Sequence, residues 1–264
     1  TTGSLNTAIG MNALRENTTA SNNTAVGDEA LRENTTGAEN TAVGAQALDA
    51  STTGNSNAAF GYQSLTDSTD GTRNCAFGAH TLQNCTSGDD NNAFGTSALG
   101  DCTTGHNNNA FGRQALRRVT TANECVAMGH DAGKEITTGD ENVAIGNLTM
   151  DACTTGTDNT AVGARALGGL TTSTKNTACG YQAGVGVTTG DDNTLIGHKA
   201  GNGISTGTGN TFVGSGAGEN STSTGSNNTF LGKDAFASQG GSFANGVVLG
   251  NSSISTLRCQ VQTI

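Results

Sequence analysis

A glycine returns every 17 residues through almost the whole chain, from Gly10, Gly27 and Gly44 to Gly197 and Gly214, and then at spacings of 18 as Gly232 and Gly250. A fixed short period marks one supersecondary unit stacked on copies of itself, each coil burying its neighbour's apolar face. Phase kept over so many repeats argues against a catalytic domain and against any domain boundary. It predicts an elongated rod.

The repeat reads Asn-Thr-Ala-Val-Gly, two variable polar residues, Ala-Leu, a few variable residues, then Thr-Thr-Gly. The residue before the phase glycine is always apolar, as in Ile9, Val26, Phe60, Phe94, Met128, Val162, Cys179 and Leu249. The one before that is Ala from Ala8 to Ala178, then Leu195, Phe212, Phe230 and Val248. Consecutive strand residues point to opposite faces, so two adjacent apolar columns predict a strand buried on both sides. A 17-residue coil has only one interior. The second face therefore calls for another surface, most simply an identical chain in a symmetric oligomer.

The phase glycine is expected to end the strand at a tight turn or at positive φ. Thr-Thr-Gly, as at Thr35-Thr36-Gly37 and Thr188-Thr189-Gly190, predicts a second corner with glycine again at unusual dihedrals. Asn stands four residues before the phase glycine in nearly every coil, from Asn6 and Asn23 to Asn210 and Asn228, with Cys125 as the break. Stacked amides predict a hydrogen-bonded ladder. The corner also shows an exchange of volume: Leu14, Leu31, Leu48 and Leu65 are followed three residues on by Asn17, Asn34, Ser51 and Ser68, whereas Gly133, Gly184 and Gly201 are followed by Ile136, Val187 and Ile204. One pocket filled from either side is what close packing requires. Gly218 with Ser221 fills it from neither. At strand spacing, fifteen coils would stack to about 70 Å, and the open ends need capping by neighbouring domains.

Of 264 residues 22 are acidic and 12 basic, a net charge of −10, which disfavours nucleic acid as a partner. No apolar run is long enough to cross a membrane as a helix. Thr1-Thr2-Gly3 opens in mid-phase, which points to a longer chain upstream. The seven cysteines form no Cys-x-x-Cys pair; Cys85, Cys102 and Cys153 share one phase position and read as small buried fillers, with a Cys85–Cys102 disulfide or zinc as the alternatives. His80, His106, His130 and His198 are scattered and imply no catalytic arrangement. The acidic pairs Asp89-Asp90, Asp140-Glu141 and Asp191-Asp192 lack the carboxylate spacing of a calcium loop. No catalytic, cofactor-binding or metal-binding residue is assigned, no cofactor is expected, and the chain is not read as an enzyme.

The Asn-Thr-Ala-Val-Gly coil, as at Asn40 to Gly44 and Asn159 to Gly163, resembles the head repeats of trimeric autotransporter adhesins, though those have a shorter period. That resemblance implies a parallel β-roll in which three chains bury one strand face against each other. The segment from Asn251 to Ile264 resembles the junction that precedes the endosialidase-type intramolecular chaperone of phage tail fibres, which implies a viral fibre whose chaperone lies beyond this chain.

The expected fold is therefore an all-β parallel β-solenoid, or β-roll, of about fifteen coils over residues 1–250, with a junction segment over 251–264, assembled as an intimate homotrimer. The expected function is a structural and adhesive fibre, a phage tail fibre or virion appendage attaching to the host surface. Its partners would be itself, a host glycan or receptor and other virion or fibre proteins. A bacterial trimeric surface adhesin and an extracellular filament are the alternatives. An ice-binding solenoid is a third, weakened where the Thr column breaks at Asp70 and Ser87. Phe212, Phe230, Phe236 and Phe243 gather near the C-terminal end, as either receptor contacts or a widened core.

Overall fold

Fifteen three-residue strands, β1 (Thr7–Ile9) through β8 (Val126–Met128) to β15 (Val247–Leu249), stack in chain order into one parallel sheet. The computed structural model describes residues 2–219, 224–236 and 243–255. Among these it is an all-β parallel solenoid without helices. Register follows the sequence period: Ala25 pairs with Ala42 and Val26 with Val43, one coil apart, and the spacing of 18 is absorbed where Phe212 pairs with Phe230. The junction assigned to 251–264 lies outside the described residues from 256 on.

From the coil of Gly10 to that of Gly214, each coil turns on four residues at positive φ. The phase glycines from Gly10 to Gly232 lie at φ +117° to +141°. Three further columns hold side chains in the left-handed region: one five residues before the phase glycine (Asn22, Glu39, Asp90), one two after it (Glu29, Gln46, Gln63) and one four after it (Leu31, Leu48, Leu99). These turns aim backbone groups along the rod. Gln46 N–H donates to Asp28 O at 2.8 Å and Leu48 N–H to Ser64 O at 3.0 Å, so corners as well as strands bond coil to coil.

The left-handed leucine explains the volume exchange. A leucine at φ near +50° costs about 1–2 kcal/mol relative to its favoured regions, and Gly133, Gly184, Gly201 and Gly218 occupy the same position at φ +58° to +68° without that cost. The missing side chain is replaced from nearby. A Cβ on Gly133 would sit 3.0 Å from Ile136 Cδ1, and one on Gly201 would sit 2.5 Å from Leu195 Cδ2. Leu195 and then Phe212 thus fill the pocket from the strand, a third source that the Leu/Ile exchange alone did not reveal. Phe212 and Phe230 are each 1% exposed and stack at 4.3 Å, with Phe243 packed against Phe230. This is how the coil of Gly218 is filled; Ser221 lies outside the described residues.

The Thr-Thr-Gly glycines differ from expectation. Gly37, Gly54, Gly105 and Gly190 are absent from the positive-φ residues. Their constraint is contact: a Cβ on Gly54 would lie 2.4 Å from the carbonyl oxygen of Gly71 in the next coil. The phase glycine carries both constraints, since a Cβ on Gly27 would also lie 2.4 Å from Gly44 O.

The asparagine column is a ladder, but chiefly between side chain and backbone. Asn23 Oδ1 accepts from Asn40 N–H at 2.9 Å, and Asn23 Nδ2 donates to the carbonyl of Gly37 at 2.9 Å. Amide-to-amide bonds are added in other coils, as from Asn193 Nδ2 to Asn176 Oδ1 at 3.0 Å. At the break, Cys125 N–H still donates to Asn108 Oδ1 at 3.0 Å, and its thiol donates to Gly139 O at 3.2 Å. The ladder has a second break at Gly246, whose N–H donates to Asn228 Oδ1 at 3.1 Å. A neighbouring column repeats the device: the first Thr of each corner donates its hydroxyl to the same carbonyl one coil on, from Thr18 to Thr35 O at 2.9 Å through to Thr188 to Ser205 O at 3.2 Å.

Two outcomes follow for stability. Leu48→Gly is expected to lower the free energy of unfolding by about 2–4 kcal/mol through the cavity it opens, and adding Ser51→Ile, whose serine hydroxyl is buried without a partner, should recover most of that loss in a urea titration. Cys125→Asn is expected to add about 1 kcal/mol by restoring the amide rung, read as a higher thermal midpoint.

Candidate functional site

Strand alternation divides each triplet cleanly. In β2 (Thr24–Val26) the central Ala25 is buried, while Thr24 and Val26 face outward and stay half-exposed. Repeated over fifteen strands, this gives two outward columns running the length of the rod. One holds Thr, Ala58, Cys75, Asn92, Asn109 and Val; the other holds the apolar residue before each phase glycine. Neither column contains a charged residue, although the chain carries 34 (12 basic and 22 acidic). Inside one chain, then, the expected double burial is met on the inner face only. The outer column stays accessible, with Phe77 36%, Phe111 39% and Met128 45% exposed.

The outer face is most ordered in its first half. Phe60, Phe77, Phe94 and Phe111 stack along the rod with centroids 4.5, 5.0 and 4.9 Å apart and ring planes within 9°. Beside them Asn92 Nδ2 donates to Asn109 Oδ1 at 3.0 Å. Flanking the face, Tyr62 meets His80 edge-on at 5.3 Å and Tyr181 stacks on His198 at 5.5 Å.

Most polar residues elsewhere are engaged between coils. Asp89 Oδ1 accepts from Thr72 N–H at 2.7 Å, Asp140 Oδ1 from Asn123 N–H at 2.7 Å, and Asp191 Oδ1 from Thr174 N–H at 2.7 Å. His106 Nδ1 accepts from Asp89 N–H at 3.0 Å, so this histidine is a rung of the same outer ladder. Asp90 is paired with Arg73 at 2.7 Å; that hydrogen bond holds its carboxyl below the usual range. His130 lies 2.9 Å from Arg113. Asp89, Asp140 and Asp191, the first members of the acidic pairs, are corner braces. Among the described residues no three His, Cys, Asp or Glu side chains gather where an ion could be held.

Asp49 and Asp151 are carboxylates drawn inward, and burial raises both above the usual range. Asp49, the less exposed of the two, sits 3.0 Å from Arg32, which also contacts Glu29 and Glu33, and its carboxyl is raised despite that guanidinium. The cysteines fall into two groups. Cys85, Cys102, Cys125 and Cys153 are buried free thiols, and no disulfide joins Cys85 to Cys102. Each thiol of that pair points to the glycine carbonyl of its own corner. Hydrogen bonding with Cys102, and then burial, push the Cys85 thiol up. Burial is the main cause that pushes Cys125 up to about 11, with the Asp140 charge adding to it, and Cys153 up to about 12. Cys75 and Cys179 stand on the outer face, Cys75 half-buried and Cys179 exposed. Cys259 lies outside the described residues.

Of the C-terminal aromatics, Phe212 and Phe230 are core and Phe243 is partly buried against them, while Phe236 remains 39% exposed. Sequence reasoning missed the outer ladder at Asp89, His106, Asn123 and Asp140, because its rungs share only the ability to accept one hydrogen bond. It also missed the three left-handed side-chain columns. The frequent Asn, Asp and Gly five residues before the phase glycine was their available signal.

Against known proteins, no family model, curated protein or solved structure matches this chain.

Alkylation separates the thiols. At pH 8, Cys85, Cys125 and Cys153 are expected to resist iodoacetamide until the chain is unfolded, since reaction needs the thiolate. Cys179 of an isolated chain should label within minutes, as read by peptide mass mapping.

Proposed function

We propose that this chain is a non-enzymatic fibre protein acting as a homotrimer, a phage tail fibre or virion appendage that projects from a particle and contacts host-surface glycans. The observation that carries the reading is the uncharged outer face, with an apolar column that runs the full length of the sheet. Parallel sheets are ordinarily covered on both faces, and an apolar stripe of this extent marks an interaction surface. A chain with the same coil pitch is the simplest surface that matches it strand for strand. Three copies, rather than two, follow the likeness to adhesin heads.

The polar chemistry supports a mechanical role. Threonine hydroxyls, asparagine amides and corner carboxylates are spent on coil-to-coil bonds, which stiffens the rod along its axis. The exposed corners then offer repeated weak contacts, and three chains would multiply them by raising the effective concentration of each. The exposed second threonines would meet a glycan or a receptor without a dedicated pocket. The same geometry serves a bacterial trimeric adhesin, and the viral reading rests on the likeness of the segment after Asn251 to a chaperone junction. A soluble chaperone domain encoded past Ile264 supports the virion; a coiled coil followed by membrane strands would make the protein a bacterial adhesin.

Sedimentation equilibrium tests the assembly. A single species of three times 26.2 kDa is expected. Phe77→Glu combined with Phe111→Glu should release monomers, since burying unpaired carboxylates in that face costs several kcal/mol, whereas Thr53→Glu at an outer corner should leave the trimer intact. A wild-type chain that sediments as a monomer would defeat the proposal.

A further inference from the structure

A rod of nearly identical coils has a difficulty that its fold does not remove. If copies associate through the outer face, sliding one by a whole coil re-creates almost every contact, so the repeat itself leaves the axial position undetermined. The face is not uniform, however. From β2 to β14 (Thr229–Leu231) the outward column three residues before the phase glycine is Thr except at Ala58, Cys75, Asn92, Asn109, Val126 and Val143. The four stacked phenylalanines fall in β4 (Ala58–Phe60) to β7 (Asn109–Phe111) of this same stretch.

We infer that the block from Phe60 to Phe111, with Asn92 and Asn109, is a register lock that sets a second copy of this chain parallel and level with the first. The inference rests on the oligomeric reading above and adds which residues fix its alignment. A slip of one coil sets an end phenylalanine against Val43 or Met128 of the other copy and breaks the match of ring to ring. It also sets one of the two asparagines opposite a Val or Cys. Their intrachain bonds, Asn92 Nδ2 to Asn109 Oδ1 at 3.0 Å and Asn109 Nδ2 to Asn107 O at 3.3 Å, use only part of the donors and acceptors of two amides. The rest are met in a covered face only when asparagine lies level with asparagine, much as a single buried Asn fixes the register of a coiled coil.

The position of the block selects polarity as well. Antiparallel pairing that places β4 on β7 matches β1 with β10 (Thr160–Val162) and leaves β11 (Thr177–Cys179) to β15 uncovered. Parallel pairing with the blocks level covers all fifteen strands. The occupant is thereby a copy of this chain and not an unrelated apolar partner, which would need the same pitch and the same block.

Cys179, exposed on the outer face four strands beyond the block, is a native reporter. In the full chain, treatment with a short bismaleimide followed by peptide mass mapping should yield chiefly Cys179 linked to Cys179, because level copies bring these residues together. The variant Phe60→Val, Phe77→Val, Phe94→Val, Phe111→Val, Asn92→Thr, Asn109→Thr gives the block the residues of its neighbours. It should remain oligomeric by sedimentation while the Cys179–Cys179 product falls several-fold and rods of unequal length appear in electron micrographs. An oligomeric variant with wild-type yield would overturn the lock and leave the assembly standing, as would an oligomeric wild type lacking that product. A monomeric wild type would overturn both. If the six-residue variant dissociates, Asn92→Thr with Asn109→Thr alone keeps the rings, and an unchanged yield there would overturn the assignment.

Discussion

The buried asparagine amide is the interaction on which the rest of this rod depends. It sits where the strand begins, beside the corner that closes the preceding turn. Its oxygen holds the backbone N–H of the next asparagine, and its nitrogen holds the next corner's carbonyl, as Asn40 does with Asn57 and Gly54. A coil so small has no room for water to satisfy those groups, and a buried polar group without a partner costs more than a bond gains. The side chain therefore ties strand to corner in every turn that carries the asparagine. An insertion of one residue between them would misplace both bonds, which is a physical reason for a period that holds at 17 from Gly10 to Gly214. Where it lengthens to 18, the amide bonds persist, as from Asn228 Nδ2 to Asn210 Oδ1 at 3.0 Å.

Much of this was legible in the sequence because the repeat averages out local ambiguity. Strand position, parallel order and one-coil register were readable from columns of Ala and Val that a single 17-residue segment could not have established. So was the exchange between Leu48 with Ser51 and Gly133 with Ile136, since volume is a property of residue type. Backbone conformation was less legible. The leucine column lies at positive φ, where leucine is disfavoured, and its interchange with glycine was the clue, read at first as volume alone. Conversely, the Thr-Thr-Gly glycines looked like dihedral requirements and are instead contact requirements, set by the carbonyl of the coil above.

The candidate site was legible in outline and not in detail. Adjacent apolar columns pointed to a strand with two faces to cover, and the structure places one of these columns outside. Alternation could not say which column faces in; the smaller residue does, because the interior is already occupied by leucine from the corner. The Phe212 and Phe230 pair makes the same point in reverse: the aromatics that looked available for a receptor are inside, where corner leucines have given way to glycine.

That change of filling partway along the rod bears on how such a chain can change length. Unequal recombination between repeats adds or removes whole coils, and within the stretch from Ala25 to Leu116 it joins an alanine strand to a leucine-bearing corner wherever it cuts. A crossover that joins the coil of Phe212 directly to the coil of Leu48 would place a large side chain from the strand and a large side chain from the corner in one pocket. The rod is thus divided into two segments that can each be lengthened but not freely shuffled, a boundary in heredity drawn by side-chain volume.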